Sequence, residues 1–154
     1  MDVAARVLRH AAPQLDPPVA VRVEGDQPRF LDVDQPARLP AAVVAVVRSE
    51  LEEIGHGNLA VIAPDSMVDR ISEVLAVNGV DHGLIYDGAL SHRVTVVPVG
   101  LVKGLELDAA VVVEPARIVA DERNGLRALY VAITRATRRL TILHAEVLPP
   151  CLSE

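Results

Sequence analysis

The sequence predicts an α/β fold in which a mainly parallel sheet is covered by helices on both faces. Three apolar runs are continuous rather than alternating, which is typical of strands buried on both sides; they span 59–63, 94–99 and 109–114. Segments with helical spacing of apolar residues separate these runs. The chain has one Phe, two Tyr and no Trp, so its core consists of Val, Ala, Leu and Ile, which suits interleaved strands and helices.

The first part of the chain predicts two helices and two short strands. Apolar residues recur at helical spacing over 2–12 and over 40–54, and the second of these segments ends at Gly55, a residue suited to a helix terminus. The stretches VAVRV and FLDV predict two short strands near an edge of the sheet.

The remaining elements follow the apolar run LAVIA. Asp65 and Ser66 are predicted to cap the next helix, because their side chains can accept hydrogen bonds from its first N–H groups. The further predicted elements are a helix over 67–77, a short strand over 84–86, the two apolar strands already named, a helix over about 122–138 and a last strand over 140–144.

Composition limits the classes of function. The 154 residues suffice for one domain, and a formal charge of −6 with a pI near 5.3 argues against a domain that mainly grips nucleic acid. No apolar run approaches the roughly 18 residues of a membrane span, and Cys151 has no second cysteine with which to pair. We therefore expect a cytoplasmic protein that does not bind a membrane. The five histidines lack metal-ligand spacing, so we expect no metal held by this chain alone.

Several residues resemble parts of functional motifs but are better explained by structural roles. Glu114 ends a strand like a metal-positioning acid, but beside a proline it is more simply an edge residue. Asp87, Ser91 and His92 lack the strand-to-helix turn that exposes a nucleophilic serine. The segment 100–104 is no phosphate loop, because Lys103 precedes the second glycine instead of following it.

The segment GLRALYVAITRATRRL predicts an amphipathic helix near the C-terminus. Leu126, Leu129, Tyr130 and Ile133 form one apolar stripe, and Arg135 is expected to point about 180° away from Leu126 at roughly 100° per residue. Taken alone, Arg135 is a solvated arginine favoured by the helix dipole, together with Arg138 and Arg139.

Two motifs together change this interpretation. KGLELD, at 103–108, followed about 20 residues later by LYVAITRATRRL, resembles motifs V and VI of the UvrD/Rep class of superfamily 1 helicases. The resemblance covers Leu59 to Glu146 and implies a single RecA-like domain over 1–154, the second motor domain (2A), related to P-loop ATPases but without its own Walker A motif.

The resemblance also implies a set of site residues. Arg135 matches the arginine that reaches the γ-phosphate of ATP on the other motor domain, and Glu106 matches the glutamate that contacts the sugar. Lys103, Gly104 and Thr134 complete the expected nucleotide-binding residues, with Lys103 orienting the loop and Gly104 allowing a tight backbone path. ATP and Mg²⁺ would be bound mainly by an N-terminal motor domain of the same protein, so this chain is expected to be a fragment of a larger ATPase.

Two departures from the helicase pattern indicate which members of this helicase class the chain resembles most. Pro98, Gly100 and Leu101 stand where DNA-translocating members carry Thr, His and Ser, and only about sixteen residues occupy the place of the large 2B insertion. The stretch PVGLVKGLELDAAVVVEP is most similar to HelD-type ATPases, which implies a bacterial protein that releases RNA polymerase from nucleic acid and contacts DNA weakly. A DNA helicase or translocase without 2B, and a non-enzymatic RecA-like interaction domain, remain as alternatives.

Overall fold

The computed structural model describes residues 3–14, 27–87 and 92–153, which form six helices and six strands. The helices are α1 (Val3–Ala11), α2 (Leu39–Ile54), α3 (Val68–Val77), α4 (Pro115–Asp121), α5 (Gly125–Ile133) and α6 (Pro150–Ser153). The strands are β1 (Arg29–Asp32), β2 (Leu59–Ala63), β3 (Gly83–Leu84), β4 (Val94–Pro98), β5 (Leu107–Val113) and β6 (Ala136–His144).

The six strands form one sheet in the order β1-β6-β5-β2-β4-β3, and every pairing between them is parallel. β2 lies near the middle, between β5 and β4, and all five of its residues are buried. The predicted α/β fold with a parallel sheet is confirmed. FLDV also contributes to an edge strand, β1, as predicted, whereas VAVRV lies outside the described residues.

The sheet separates two apolar cores, one on each face. The first core lies between the sheet and α1, α4, α5 and α6; the second lies between the sheet and α2 and α3. Neighbouring residues of β2 divide between them, with Ile62 in the first core and Val61 in the second. Because successive strand residues point to opposite faces, a continuous apolar run fills both cores at once.

The predicted helix over 122–138 is wrong at both ends. α5 begins at Gly125 and ends at Ile133, and the chain then enters β6 at Ala136, so that Arg138 and Arg139 lie on a strand. The helix that carries the apolar stripe ends at Ile133. Beyond it, pairing of Ala136 with Leu107 of β5 outweighs the local helical pattern. The preceding helix, α4, which begins at Pro115, was not predicted.

Two smaller predictions also differ from the structure. Asp65 and Ser66 do not cap α3 through their side chains; they form a short 3-10 turn, and Met67 is the residue before the helix. The predicted strand over 84–86 is shorter and begins one residue earlier, because the chain turns into a 3-10 segment at Ile85.

No helix in the described part of the chain is both long and apolar enough to cross a membrane.

Candidate functional site

The loop between β4 and β5 is held by buried apolar side chains. Val99, in a short 3-10 turn after β4, and Val102 are both buried in the first core. Lys103, Gly104 and Glu106 are exposed. The loop is therefore anchored at its start and presents its polar residues to solvent.

Gly104 has a backbone conformation that favours glycine. Its φ is +86°, and no atom lies within 4 Å of the position that a Cβ would take. Backbone conformation, rather than lack of space, therefore accounts for glycine here. The predicted role of Gly104 beside a nucleotide stays a prediction.

The guanidinium group of Arg135 is bound to the end of the preceding helix. Arg135 Nε donates to the carbonyl oxygen of Val131 at 3.1 Å, and Nη2 donates to Thr134 Oγ1 at 3.1 Å. The Thr134 hydroxyl lies 3.0 Å from the carbonyl oxygens of both Tyr130 and Val131. The last carbonyls of a helix attract a cation, so Arg135 is not the freely solvated side chain that helical spacing predicted. It is half-buried and follows the helix.

The structure brings Glu106 and Arg135 to the same end of two neighbouring strands. The N–H of Leu107 donates to the carbonyl oxygen of Arg135 at 3.1 Å, and Leu107 is paired with Ala136. Thr137 Oγ1 donates to the Leu107 carbonyl at 3.1 Å. Glu106 and Arg135 each come immediately before these paired residues, at the amino end of β5 and of β6.

Asp108 has a structural role beside this site. The Asn58 N–H donates to Asp108 Oδ2 at 2.9 Å, and the Asp108 N–H donates to Asn58 Oδ1 at 3.0 Å. A Cβ on Gly57 would lie 2.7 Å from Asp108 Oδ2, so only glycine fits there without displacing the carboxylate. These contacts fix the start of β5 against the start of β2.

A buried carboxylate supports β6 a few residues beyond Arg135. Glu50 of α2 is 1% exposed. It accepts hydrogen bonds from Arg139 Nε at 2.6 Å and Nη2 at 3.2 Å, from Arg29 Nη1 at 3.0 Å and from Thr141 Oγ1 at 3.4 Å. Arg139 is therefore committed to an ion pair and is not a free helix-end cation. Sequence reasoning missed Glu50, although a carboxylate three residues after Val47 on an apolar helix face was a signal.

Glu114 is buried and not a simple edge residue. It has a left-handed backbone conformation with φ +52°. Its carboxylate accepts hydrogen bonds from the N–H groups of Ala145, at 3.2 and 3.3 Å, and Glu146, at 3.1 Å. Glu114 thus joins the carboxyl ends of β5 and β6, which explains its burial without a metal.

Lys103 lines cavities together with Arg127 and Val131 of α5, and neither Glu106 nor Arg135 is among the lining residues. Arg123 and Arg127, which sequence reasoning did not single out, lie on this surface as well.

A family model matches part of the chain that contains both motifs. Residues 93–143 match the UvrD-like helicase C-terminal domain, a span that runs from β4 into β6. No curated protein matches the sequence.

Solved helicase structures share the fold of the chain. The C-terminal domain of a possible DNA helicase from Lactobacillus plantarum WCFS1 has a TM-score of 0.72 and 22% identity, over 98% of this chain and 88% of that one. Arterivirus nonstructural protein 10, a helicase solved with DNA, has a TM-score of 0.54 and 15% identity, over 94% of this chain and 33% of that one. The family match over 93–143 and the shared fold both make this chain similar to helicase C-terminal domains of RecA-like architecture.

Proposed function

We propose that this chain is the second motor domain of a helicase-like ATPase and that it supplies Glu106 and Arg135 to ATP bound on another motor domain. The observation that carries the proposal is the hydrogen bond from Leu107 to Arg135, which holds both residues at one end of two paired strands. A ligand seated on a second body at this end meets a carboxylate and a guanidinium together.

Arg135 has hydrogen-bonding capacity left for such a ligand. A guanidinium has five N–H donors, and the bonds to Val131 and Thr134 use two of its nitrogens. Positive charge on the γ-phosphate stabilises the transition state of phosphoryl transfer, and an arginine from a second body makes hydrolysis depend on the approach of the two bodies. The chemistry would then be coupled to domain motion.

The residues present fit one side of an ATP site. Glu106 is exposed and can accept hydrogen bonds from sugar hydroxyls. The sequence has no phosphate loop, and the described residues form no group of three His, Cys, Asp or Glu side chains suited to a metal. In this proposal the triphosphate and Mg²⁺ would be held mainly by the partner motor domain, and Mg²⁺ would supply neutralisation of the phosphate charge there.

Replacement of Arg135 tests the proposal in the intact protein. Arg135→Ala and Arg135→Lys should each lower kcat by about 10³-fold, the scale of an arginine finger, with a smaller effect on ATP affinity. Steady-state ATPase assays measure both quantities. A variant that hydrolyses ATP at the parental rate would show that Arg135 only terminates α5, and an intact protein without ATPase activity would favour the non-enzymatic alternative.

For the partner of this motor, we propose RNA polymerase, as in HelD-type proteins. Pro98, Gly100 and Leu101 offer no side-chain hydrogen-bond donors where DNA-translocating relatives carry them, and Leu101 is 48% exposed. The net charge of −6 weakens long-range attraction to a nucleic acid strand. Both features support a motor coupled to a protein rather than to a nucleic acid strand, and the HelD-type proposal implies the bacterial cytoplasm.

A DNA helicase is the second candidate, because a similar fold belongs to the C-terminal domain of a possible DNA helicase. The two candidates differ in what stimulates ATP hydrolysis. The ATPase of the intact protein should be titrated separately with RNA polymerase and with single-stranded DNA at physiological salt. Stimulation by DNA with no polymerase binding would select the helicase.

A further inference from the structure

We propose that a basic groove on the outer side of α5 binds an acidic segment of a partner protein. Three cavities of about 240, 370 and 490 Å³ share lining residues along this helix, and Arg127 lines all three. We call this surface the basic groove; its cationic side chains are Lys103, Arg123 and Arg127. The groove goes beyond the ATP site, since neither Arg123 nor Arg127 belongs to that site.

The cations of the groove have no partners within the described part of the chain. Lys103, Arg123 and Arg127 are all exposed, and none of them forms a hydrogen bond or an ion pair there. Other arginines are engaged: Arg38 and Arg70, for example, pair with nearby carboxylates. Among the residues that the structure describes, Glu122 is the only acidic one that lines the three cavities. A local excess of positive charge therefore remains in a chain whose net charge is −6.

The floor of the basic groove is apolar. It is formed where α1 packs against α5, with Leu8 and Ala12 on one side and Tyr130 and Val131 on the other. Burial of apolar side chains provides affinity, and charges at the rim provide orientation and faster association. A segment with leucine-like side chains flanked by Asp or Glu matches both features.

Charge and shape favour a protein segment over a nucleic acid strand. Proteins that bind single-stranded nucleic acid stack successive bases on several aromatic side chains along a positively charged groove. Among the described residues that line the basic groove, Tyr130 is the one aromatic residue. The acidic domain repels a long polyanion, but a short segment with few carboxylates can bind the three cations locally.

The test is binding of a labelled short peptide, with glutamates flanking leucines, to this chain by fluorescence anisotropy. We expect Arg123→Glu combined with Arg127→Glu to weaken binding by about tenfold or more, because attraction becomes repulsion. Replacement of both arginines by Lys should retain most of the binding. Arg48→Glu combined with Arg70→Glu is the matched control, because it makes the same charge change on α2 and α3, across the sheet from α5.

Further measurements distinguish a loss of peptide binding from a loss of folded protein. Thermal unfolding of each variant verifies its fold, and Arg127→Gln, a milder change, replaces the double variant if the latter unfolds. No peptide binding, or binding that the groove variants leave unchanged, would overturn the proposal. So would a single-stranded oligothymidylate that binds through Arg123 and Arg127 when the peptide does not. The ATP-site proposal would be unaffected by any of these results.

Discussion

At the scale of single residues, polar groups around the candidate site are fixed by partners that are distant in sequence. Glu50 and Arg139 are 89 positions apart, and no local pattern indicates that they meet. The resemblance to motif VI predicts Arg135 as a site residue, but not the contact between its guanidinium and Thr134. Sequence can therefore propose candidate site residues, whereas their hydrogen-bond partners depend on the folded structure.

Thr134 is predicted to act by positioning Arg135. Thr134→Val removes the hydroxyl that Arg135 Nη2 contacts while keeping the size of the side chain. In the intact protein it should lower kcat by about 10–100-fold, the cost of a misplaced catalytic group, with KM little changed. Thr134→Ser keeps the hydroxyl and is the matched control. Equal kcat values for the two variants would contradict this role.

Glu50 is predicted to be essential for stability. Glu50→Ala leaves Arg139, which is 14% exposed, without its main partner, and removal of one member of a buried ion pair costs about 3–5 kcal/mol. Urea denaturation measures this change in the free energy of unfolding. Glu53→Ala is the control, because Glu53 is 59% exposed and lies 3.9 Å from Arg139; we expect it to change stability by about 0.5 kcal/mol or less.

At the scale of elements, the strand with the strongest apolar pattern was predicted correctly, whereas a boundary with a weak sequence signal was not. β2 has the predicted bounds, because LAVIA is buried on both faces and nothing competes with the strand. The boundary between α5 and β6 was missed because the segment after Ile133 is locally compatible with a helix. Its pairing with β5, and the ion pair of Arg139 with Glu50, are tertiary interactions that sequence spacing does not show.

The contact between α4 and α5 gives a prediction about Gly125. A Cβ on this residue would lie 2.5 Å from the Cα of Val119 in α4, and backbone atoms cannot move aside as a flexible side chain can. Gly125→Ala should therefore lower the free energy of unfolding by about 1–3 kcal/mol. The control is Gly100→Ala, since no atom lies within 4 Å of its added Cβ. Equal stability of the two variants would show that α4 shifts at little cost.

At the scale of the whole molecule, the fold class could be predicted but the strand order could not. Continuous apolar runs alternating with helices indicate a covered parallel sheet. The order β1-β6-β5-β2-β4-β3 depends on which strands meet after crossovers, and many orders satisfy the same pattern. The basic groove was missed for a similar reason, because Lys103 and Arg127 become neighbours only when the loop packs beside α5.

The chain by itself is predicted to fold but not to hydrolyse ATP. In the proposed function Arg135 and Glu106 act on a nucleotide held elsewhere, and the sequence contains no phosphate loop to hold one. A phosphate-release assay on the purified chain should match a buffer blank. Turnover that a substitution at Arg135 abolishes would refute the prediction and imply a complete site within these residues.

The position of β1 has a consequence for how the chain folds during synthesis. β1 pairs only with β6 among the described strands, so Arg29 finds its register beside Thr141. An early strand whose neighbour is made much later delays closure of the sheet, and such long-range pairing slows folding. Until residues 136–144 have been synthesised, β1 lacks its neighbouring strand, and Glu50 lacks its partners Arg139 and Thr141. A nascent chain that stops before that point therefore leaves the Glu50 carboxylate without these two partners and accessible to solvent or to chaperones.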